Sequence, residues 1–359
     1  MNKISKPVSQ INFEEIIKLV DANELMNYFI IQAYIGNTDF PHNNLVMWKP
    51  RTENGKWRYI LKDTDFGLDD GRLTHNTIAH YVSTDRNDQD RNLFSALLSY
   101  EPFKTEFYSR FAIYMGDILS PKATSHIIDS IRYLVEPEML RHRSHWGGTQ
   151  NLNNWNSMVD RLVNWCSRRN DYMYTYLQQR FGLFLAIPMI VETQENIEYN
   201  SGDIMINGIP IQNQSFNGKY FRSKEVNIHW NGDPEKVNGW MVTTTISGDQ
   251  RSTTYLERDI NYFIPSQCTN IQFTAIYSTE NAIPVVLEST ISCYTDNNQL
   301  MIKGLQGNSA LSLYSVNGSL VFETKTTENE LIIPLNEKGL YILKIKNKNQ
   351  IIVEKIIIN

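Results

Sequence analysis

The chain of 359 residues is 41% hydrophobic and 20% charged, with a formal net charge of -5, which fits a globular protein of two or three domains and gives no electrostatic case for nucleic acid or an anionic membrane as partner. No apolar run approaches the roughly 18–20 residues of a membrane span, and residues 1–15 lack the apolar core of a secretory leader. The three cysteines, Cys166, Cys268 and Cys293, are scattered and odd in number, so neither a disulfide framework nor a zinc cluster is expected.

The first half reads as mainly helical. Asn12, three residues before Glu15, looks like the start of a capping box for "NFEEIIKLV". Asp21 and Glu24 repeat the signal ahead of "NELMNYFIIQAYI", and Gly36-Asn37 supplies a C-cap. "NNLVMWKP" and "GKWRYILKD" are short, aromatic and β-branched, with "RTENG" between them, which predicts a β-hairpin. Helical periodicity returns from "QDRNLFSALLSYEPFKTEFYSRFAIYMGDIL", and three more helices are expected near 122–142, 155–167 and 168–182. After "QRFGL" the period falls to two: "IMINGIPI", "KYFRSKEVNIHW", "GWMVTTTI" and "IQFTAIYS" are strand-like. From about residue 296, short strands at about 8–12-residue spacing, with an Asn317-Gly318 hairpin turn, give the pattern of a small antiparallel sandwich.

Residues 37–67 carry the chemistry. "GNTDFPHNN" holds Asp39 and, five residues later, Asn44; "DTDFG" holds Asp63 and Asp65 ahead of Phe66-Gly67. Protein kinases use an aspartate to orient the acceptor hydroxyl, an asparagine five residues on to hold one metal, and an aspartate before Phe-Gly to hold another. Small hard cations choose such oxygen donors. A hairpin between the two segments would bring their ends together, and within a strand Asp63 and Asp65 would project to one face. The plainer reading makes Asp39 and Asn44 ordinary turn residues. A calcium loop counted from Asp63 is rejected, because its sixth and twelfth positions are Leu68 and Thr74 rather than Gly and Glu. A solvated acidic loop remains open for Asp69 and Asp70.

The segments "GNTDFPHNN", "KWRYILKDTDFG" and "RHRSHWG", in that order, resemble the CotH family, the spore-coat-protein-H-like atypical protein kinases, over roughly residues 12–183. The resemblance implies that Asp39 is the catalytic aspartate, Asn44 a metal ligand, and Asp63 or Asp65 the principal metal-binding acid; spacing does not choose between the last two. It also implies Mg2+ and ATP as cofactors and phosphotransfer to protein serine in a secreted or surface setting. The residues before Asp39 read as helix, with no G-x-G-x-x-G loop, and Lys3, Lys6 and Lys18 lie in no strand of the ATP-lysine kind. The chain is therefore expected to present a kinase C-lobe without its N-lobe, truncated at the N-terminus, with weak or no activity alone.

Arg141, His142, Arg143, His145 and Trp146 could form a wall that receives a phosphate, but cations in a last helical turn are expected on dipole grounds alone. Trp48, Trp57, Trp155 and Trp165 are expected in the core, and Cys166 is expected to be buried. The stretches "VNGSLV", "GLYILKI" and the terminal "KIIIN" resemble the C-terminal sorting domain of type IX (Por) secretion cargo, which implies the type IX machinery as partner and an outer-membrane-surface or released destination. The expected fold class is thus multidomain: a mainly α kinase-like C-lobe with a β-hairpin over 1–185, a β-sandwich-like module over 186–292 and a sorting domain over 293–359. The competing function is a non-catalytic surface binding or adhesion protein whose β domains contact the ligand.

Overall fold

A computed structural model describes residues 8–41, 43–82, 89–146, 152–195, 197–277, 292–296, 299–305, 308–335, 338–347 and 351–358. The chain divides into two compact units: residues 1–186 with 218–221, and residues 187–217 with 222–359.

The first unit is helical. α1 (Gln10–Leu19) begins one turn earlier than the Asn12 signal predicts: Ser9 is its cap, and the Ser9 hydroxyl accepts the Asn12 N–H at 3.3 Å. α2 (Ala22–Ile35) starts where expected, with the Asp21 carboxylate accepting the Glu24 N–H at 3.2 Å and pairing with Arg58 at 3.0 Å. α2 is the central element. Leu25, Met26, Phe29, Ile30, Ala33 and Tyr34 on it are all buried, so it is apolar around most of its circumference. Gly36 ends it in the left-handed region at φ 73°, a conformation that glycine adopts without steric cost.

The predicted hairpin is present: β1 (Val46–Trp48) and β2 (Arg58–Ile60) pair antiparallel with Val46 opposite Ile60. Its strands are only three residues long, and Trp48 and Trp57 are 43% and 38% exposed, contrary to the expected core placement. Cationic neighbours cover them instead: Arg58 lies over Trp48 and Lys49 over Trp57 at 5.8 and 5.6 Å. Trp155 is half-buried, and Trp165 is fully buried as expected.

A 3-10 turn (Asp70–Arg72) leads to α3 (Thr77–Val82), α4 (Gln89–Leu97) and α5 (Glu101–Gly116). Phe29 stacks on Phe94 with centroids 3.7 Å apart, and Phe40 meets Tyr28, Phe29 and Tyr81 edge-on, so the core is largely aromatic. α6 (Pro121–Trp146) contributes no buried residue and pairs with α7 (Leu152–Phe181) through Arg132 and Asp160 at 2.5 Å. The two helices expected at 155–167 and 168–182 are one continuous α7. No glycine or proline interrupts "WCSRRNDYM", and the Ser167 hydroxyl bonds back to the Asn164 carbonyl at 2.7 Å instead of capping a new helix. Gly218–Phe221 also belongs to this unit: the Tyr220 and Ser109 hydroxyls lie 2.8 Å apart, and the Lys219 ammonium pairs with Asp171 at 2.7 Å.

The second unit is all β. The strands that follow α7 are β3 (Ala186–Thr193), β4 (Ile204–Ile206), β5 (Ile209–Pro210), β6 (Phe216–Phe221, whose last four residues belong to the first unit), β7 (Glu225–Trp230), β8 (Gly239–Ile246), β9 (Asp249–Tyr255), β10 (Asp259–Phe263) and β11 (Cys268–Ile276). They form sheets in the orders β10-β7-β4-β5 and β6-β3-β11-β8-β9, with β3 and β11 parallel. The rings of Tyr262 and Phe273, one from each sheet, meet at 5.7 Å. β12 (Ser292–Asp296), β13 (Gln299–Lys303), β14 (Ser309–Ser315), β15 (Leu320–Thr326), β16 (Glu330–Pro334), β17 (Gly339–Lys346) and β18 (Ile351–Ile358) form sheets β12-β13-β16 and β15-β14-β17-β18. Leu300, Ile302 and Ile333 from one sheet and Leu311, Leu313, Leu343, Ile345 and Ile356 from the other share one buried cluster, the expected antiparallel sandwich. The Asn317-Gly318 turn joins β14 to β15, with Gly318 at φ 85° donating to the Ser315 carbonyl at 2.9 Å. All three cysteines are free.

Candidate functional site

The end of α2 fixes the Asp39 loop. Asn37, wholly buried, donates its amide to the Gln32 side chain at 2.9 Å and its backbone N–H to the Gln32 carbonyl at 3.2 Å. Its side-chain oxygen accepts the Asp39 N–H at 3.1 Å. Phe40, 1% exposed, pins the next position, and the Phe40–Pro41 peptide is cis. The chain then turns so that Asn43 and Asn44 face back. Asn43 Nδ2 donates to Asp39 Oδ1 at 2.7 Å and Asn44 Nδ2 to Asp39 Oδ2 at 2.8 Å. Asn44 sits at φ 60°, a conformation that asparagine tolerates better than most side chains. The structure thus brings Asp39 and Asn44 together. A carboxylate can only accept, so the Asn44 NH2 faces it and the Asn44 carbonyl oxygen stays available as a donor to a cation.

The second acidic segment is placed differently from the strand picture. β2 ends at Ile60, Asp63 lies at φ 53° and Asp65 in a turn, so strand alternation does not set the directions of these two side chains. Both are exposed, and neither carboxylate has a hydrogen-bond or ion-pair partner among the described residues. The segment is nonetheless tied to the end of α2. The Leu68 N–H reaches the Ile35 carbonyl at 2.6 Å, and Gly67 packs so closely that a Cβ there would lie 3.0 Å from the Ile35 side chain. Arg72 completes the tie by donating to the Thr38 hydroxyl, pairing with Asp69 at 3.5 Å and covering the Phe66 ring at 5.3 Å. No group of three or more His, Cys, Asp or Glu side chains gathers around one point among the described residues.

Sequence reasoning missed Arg169. This fully buried guanidinium donates to the carbonyls of Tyr34 (3.0 Å), Ala33 (2.9 Å), Leu73 (2.6 Å) and His75 (3.0 Å) and to the Thr77 hydroxyl (2.9 Å). It satisfies carbonyls at the C-terminal end of α2, which the helix itself leaves open, and ties them to the loop after Asp69. Burial pulls its pKa down to about 10, which leaves it charged at neutral pH. The available signal was its position, four residues after Trp165 and four before Met173, on the buried stripe of α7.

Arg143 and His145 lie in the last turn of α6, and the Arg141–Trp146 stretch is exposed. Cys166 is buried as expected, and burial pushes its thiol pKa up. No helix among the described residues is long and apolar enough to cross a membrane.

Residues 1–173 match the CotH kinase protein family, and residues 296–359 match the secretion system C-terminal sorting domain. No curated protein matches the chain significantly. Among solved structures, SGBP-B of the Bacteroides ovatus mixed-linkage glucan utilization locus, in complex with a mixed-linkage heptasaccharide, aligns with 11% identity and a TM-score of 0.11, over 46% of this chain and 62% of its own length. A superposition that weak carries no fold or ligand argument. The sorting domain marks cargo of the type IX secretion machinery, bound for secretion or the outer-membrane surface. The chain is thus similar to the CotH kinase protein family over residues 1–173 and to the secretion system C-terminal sorting domain over residues 296–359.

Proposed function

We propose that the chain supplies the loop side of a secreted, CotH-like protein kinase site that transfers phosphate from Mg-ATP to protein serine. The observation that carries this reading is the bond between Asn44 Nδ2 and Asp39 Oδ2 at 2.8 Å, which gathers the hydroxyl-orienting acid and the metal-holding amide into one turn. The donor chemistry fits magnesium: the Asn44 carbonyl oxygen and the unpaired carboxylates of Asp63 and Asp65 are hard oxygen ligands. Bound there, the metal would neutralise charge on the phosphates. Asp39 accepts a hydrogen bond from the serine hydroxyl and so orients it. Asn43 and Asn44 hold the Asp39 carboxylate in one rotamer, which lowers the cost of that orientation. Asp63 and Asp65 are retained as alternative principal metal ligands.

The test combines calorimetric titration of ATP, with and without magnesium, and transfer of labelled γ-phosphate to casein. Nucleotide binding should require magnesium and weaken in Asn44→Ala and in Asp63→Ala or Asp65→Ala, and any transfer should vanish in Asp39→Ala. Absence of magnesium-dependent nucleotide binding at millimolar ATP would sink the proposal and leave the non-catalytic surface-binding reading.

A further inference from the structure

A cavity of about 300 Å3 opens along one face of α2, where Glu24, Asn27, Tyr28 and Ile31 fall at helical spacing. Leu61, just past β2, and Ile118, just past α5, also wall it, and both are exposed, at 46% and 37%. Its volume is at the lower end of small-ligand pockets, enough for a fragment-sized molecule. Two polar groups of this lining have no hydrogen-bond partner among the described residues. One is the Glu24 carboxylate, which is exposed. The other is the Asn27 side-chain NH2. The Asn27 oxygen accepts from an Arg110 terminal nitrogen at 3.1 Å and from the Tyr114 hydroxyl at 3.0 Å. A guanidinium can only donate, so that bond fixes which end of the amide is oxygen and leaves Nδ2 as the open donor. The lining thus offers one acceptor and one donor beside an apolar wall, and none of Asp39, Asn44, Asp63 or Asp65 belongs to it.

We propose that this cavity binds a neutral amide carried on an apolar group. The amide N–H donates to the Glu24 carboxylate and the amide C=O accepts from Asn27 Nδ2, so both open groups are used at once. The apolar group packs on Ile31, Leu61 and Ile118 and takes their exposed surface out of water. Other ligand classes match less of the lining. A carboxylate meets the Glu24 charge, an ammonium sets a second donor against Asn27, and an ester has no N–H for Glu24. The amide can belong to a small molecule or to an apolar residue of an extended peptide, whose own N–H and C=O point to one edge.

The test titrates the full chain, by calorimetry, with 3-phenylpropanamide, with N-acetyl-phenylalanine methylamide, with the ester methyl 3-phenylpropanoate and with 3-phenylpropylammonium. One of the two amides should bind about tenfold more tightly than the ester, the size expected of a hydrogen bond to a charged acceptor, and more tightly than the ammonium. The tighter amide names the source. Glu24→Ala should erase the preference over the ester while the ester binds as before. Asn27→Asp keeps an oxygen for Arg110 and Tyr114 but cannot donate, so amide and ester should both weaken severalfold. Ile31→Trp should fill the cavity and abolish all binding, with an unchanged far-UV dichroism spectrum in each variant showing that the fold survives. Equal affinity for amide and ester, no saturable binding of either amide at millimolar concentration, tighter binding of the ammonium, an undiminished preference in Glu24→Ala, or undiminished amide binding in Asn27→Asp would each overturn the assignment.

Discussion

Replacing Arg169 by methionine tests what positions the candidate site. Methionine fills much of the same volume but donates nothing. Of the five acceptors, the Ala33 carbonyl keeps the Thr77 hydroxyl at 2.7 Å as a donor, and the His75 carbonyl is only partly buried. The Tyr34 and Leu73 carbonyls are buried at their bonds to Arg169 and lose a charged donor. Stranding a buried acceptor costs about 1–3 kcal/mol, so the pair sets the expected loss at about 4 kcal/mol. That is a large share of the ~5–15 kcal/mol that holds a domain folded. Urea unfolding followed at 222 nm, where the helical unit dominates the signal, measures it. Arg169→Lys should fall between the two, because one ammonium cannot serve carbonyls on both segments with a guanidinium's reach. A loss below about 1 kcal/mol in Arg169→Met would refute the idea that this side chain holds the α2 end against the loop after Asp69.

Gly36→Ala should destabilise the helical unit by about 1–2 kcal/mol, because φ 73° strains any Cβ-bearing residue; thermal melting at 222 nm reads the shift. Burial, then Arg169 and Arg72, hold the His75 pKa below its ordinary value. With a folded-state pKa below the unfolded one, the unfolded chain takes up the proton first. Stability from this residue is therefore full above about pH 6.5 and falls as pH drops below that value; a series of urea midpoints should slope there and flatten in His75→Gln. Burial raises the thiol pKa of Cys166 and Cys268, and that of Cys293 to about 11, so iodoacetamide at pH 7.5 should leave all three unmodified until the chain is unfolded, as mass spectrometry will show.

Local signals were legible in the sequence where local chemistry sets the structure. Asp21 with Glu24, Gly36 and Asn317-Gly318 each satisfy backbone groups within a few residues, and each lands where its pattern points. The Asn12 reading failed because Ser9, three residues upstream, offers the same capping chemistry. The break expected between residues 167 and 168 failed because no glycine or proline intervenes there, and a helix tolerates polar residues such as Ser167 and Asn170. The tryptophans of the hairpin were misplaced because a three-residue strand pair leaves its large side chains partly uncovered. For the site, the spacing of Asp39 and Asn44 was informative, since a single turn closes it. The directions of Asp63 and Asp65 were not, since they depend on a positive φ at Asp63, which aspartate tolerates but which the period-two pattern of the segment does not announce. Arg169 was invisible because its partners lie 92–136 residues away in sequence.

The four residues Gly218–Phe221 carry a practical lesson for dissecting the chain. They are spelled more than thirty positions after the last helix, yet Tyr220 and Phe221 are 1% and 0% exposed within the helical body, and the Tyr174 hydroxyl is held by Lys219 at 3.1 Å. A gene cut after the last helix would therefore yield helices with a bare aromatic scar. Anyone shuffling this module onto another passenger must either carry that tetrapeptide along or repaint the surface it leaves behind.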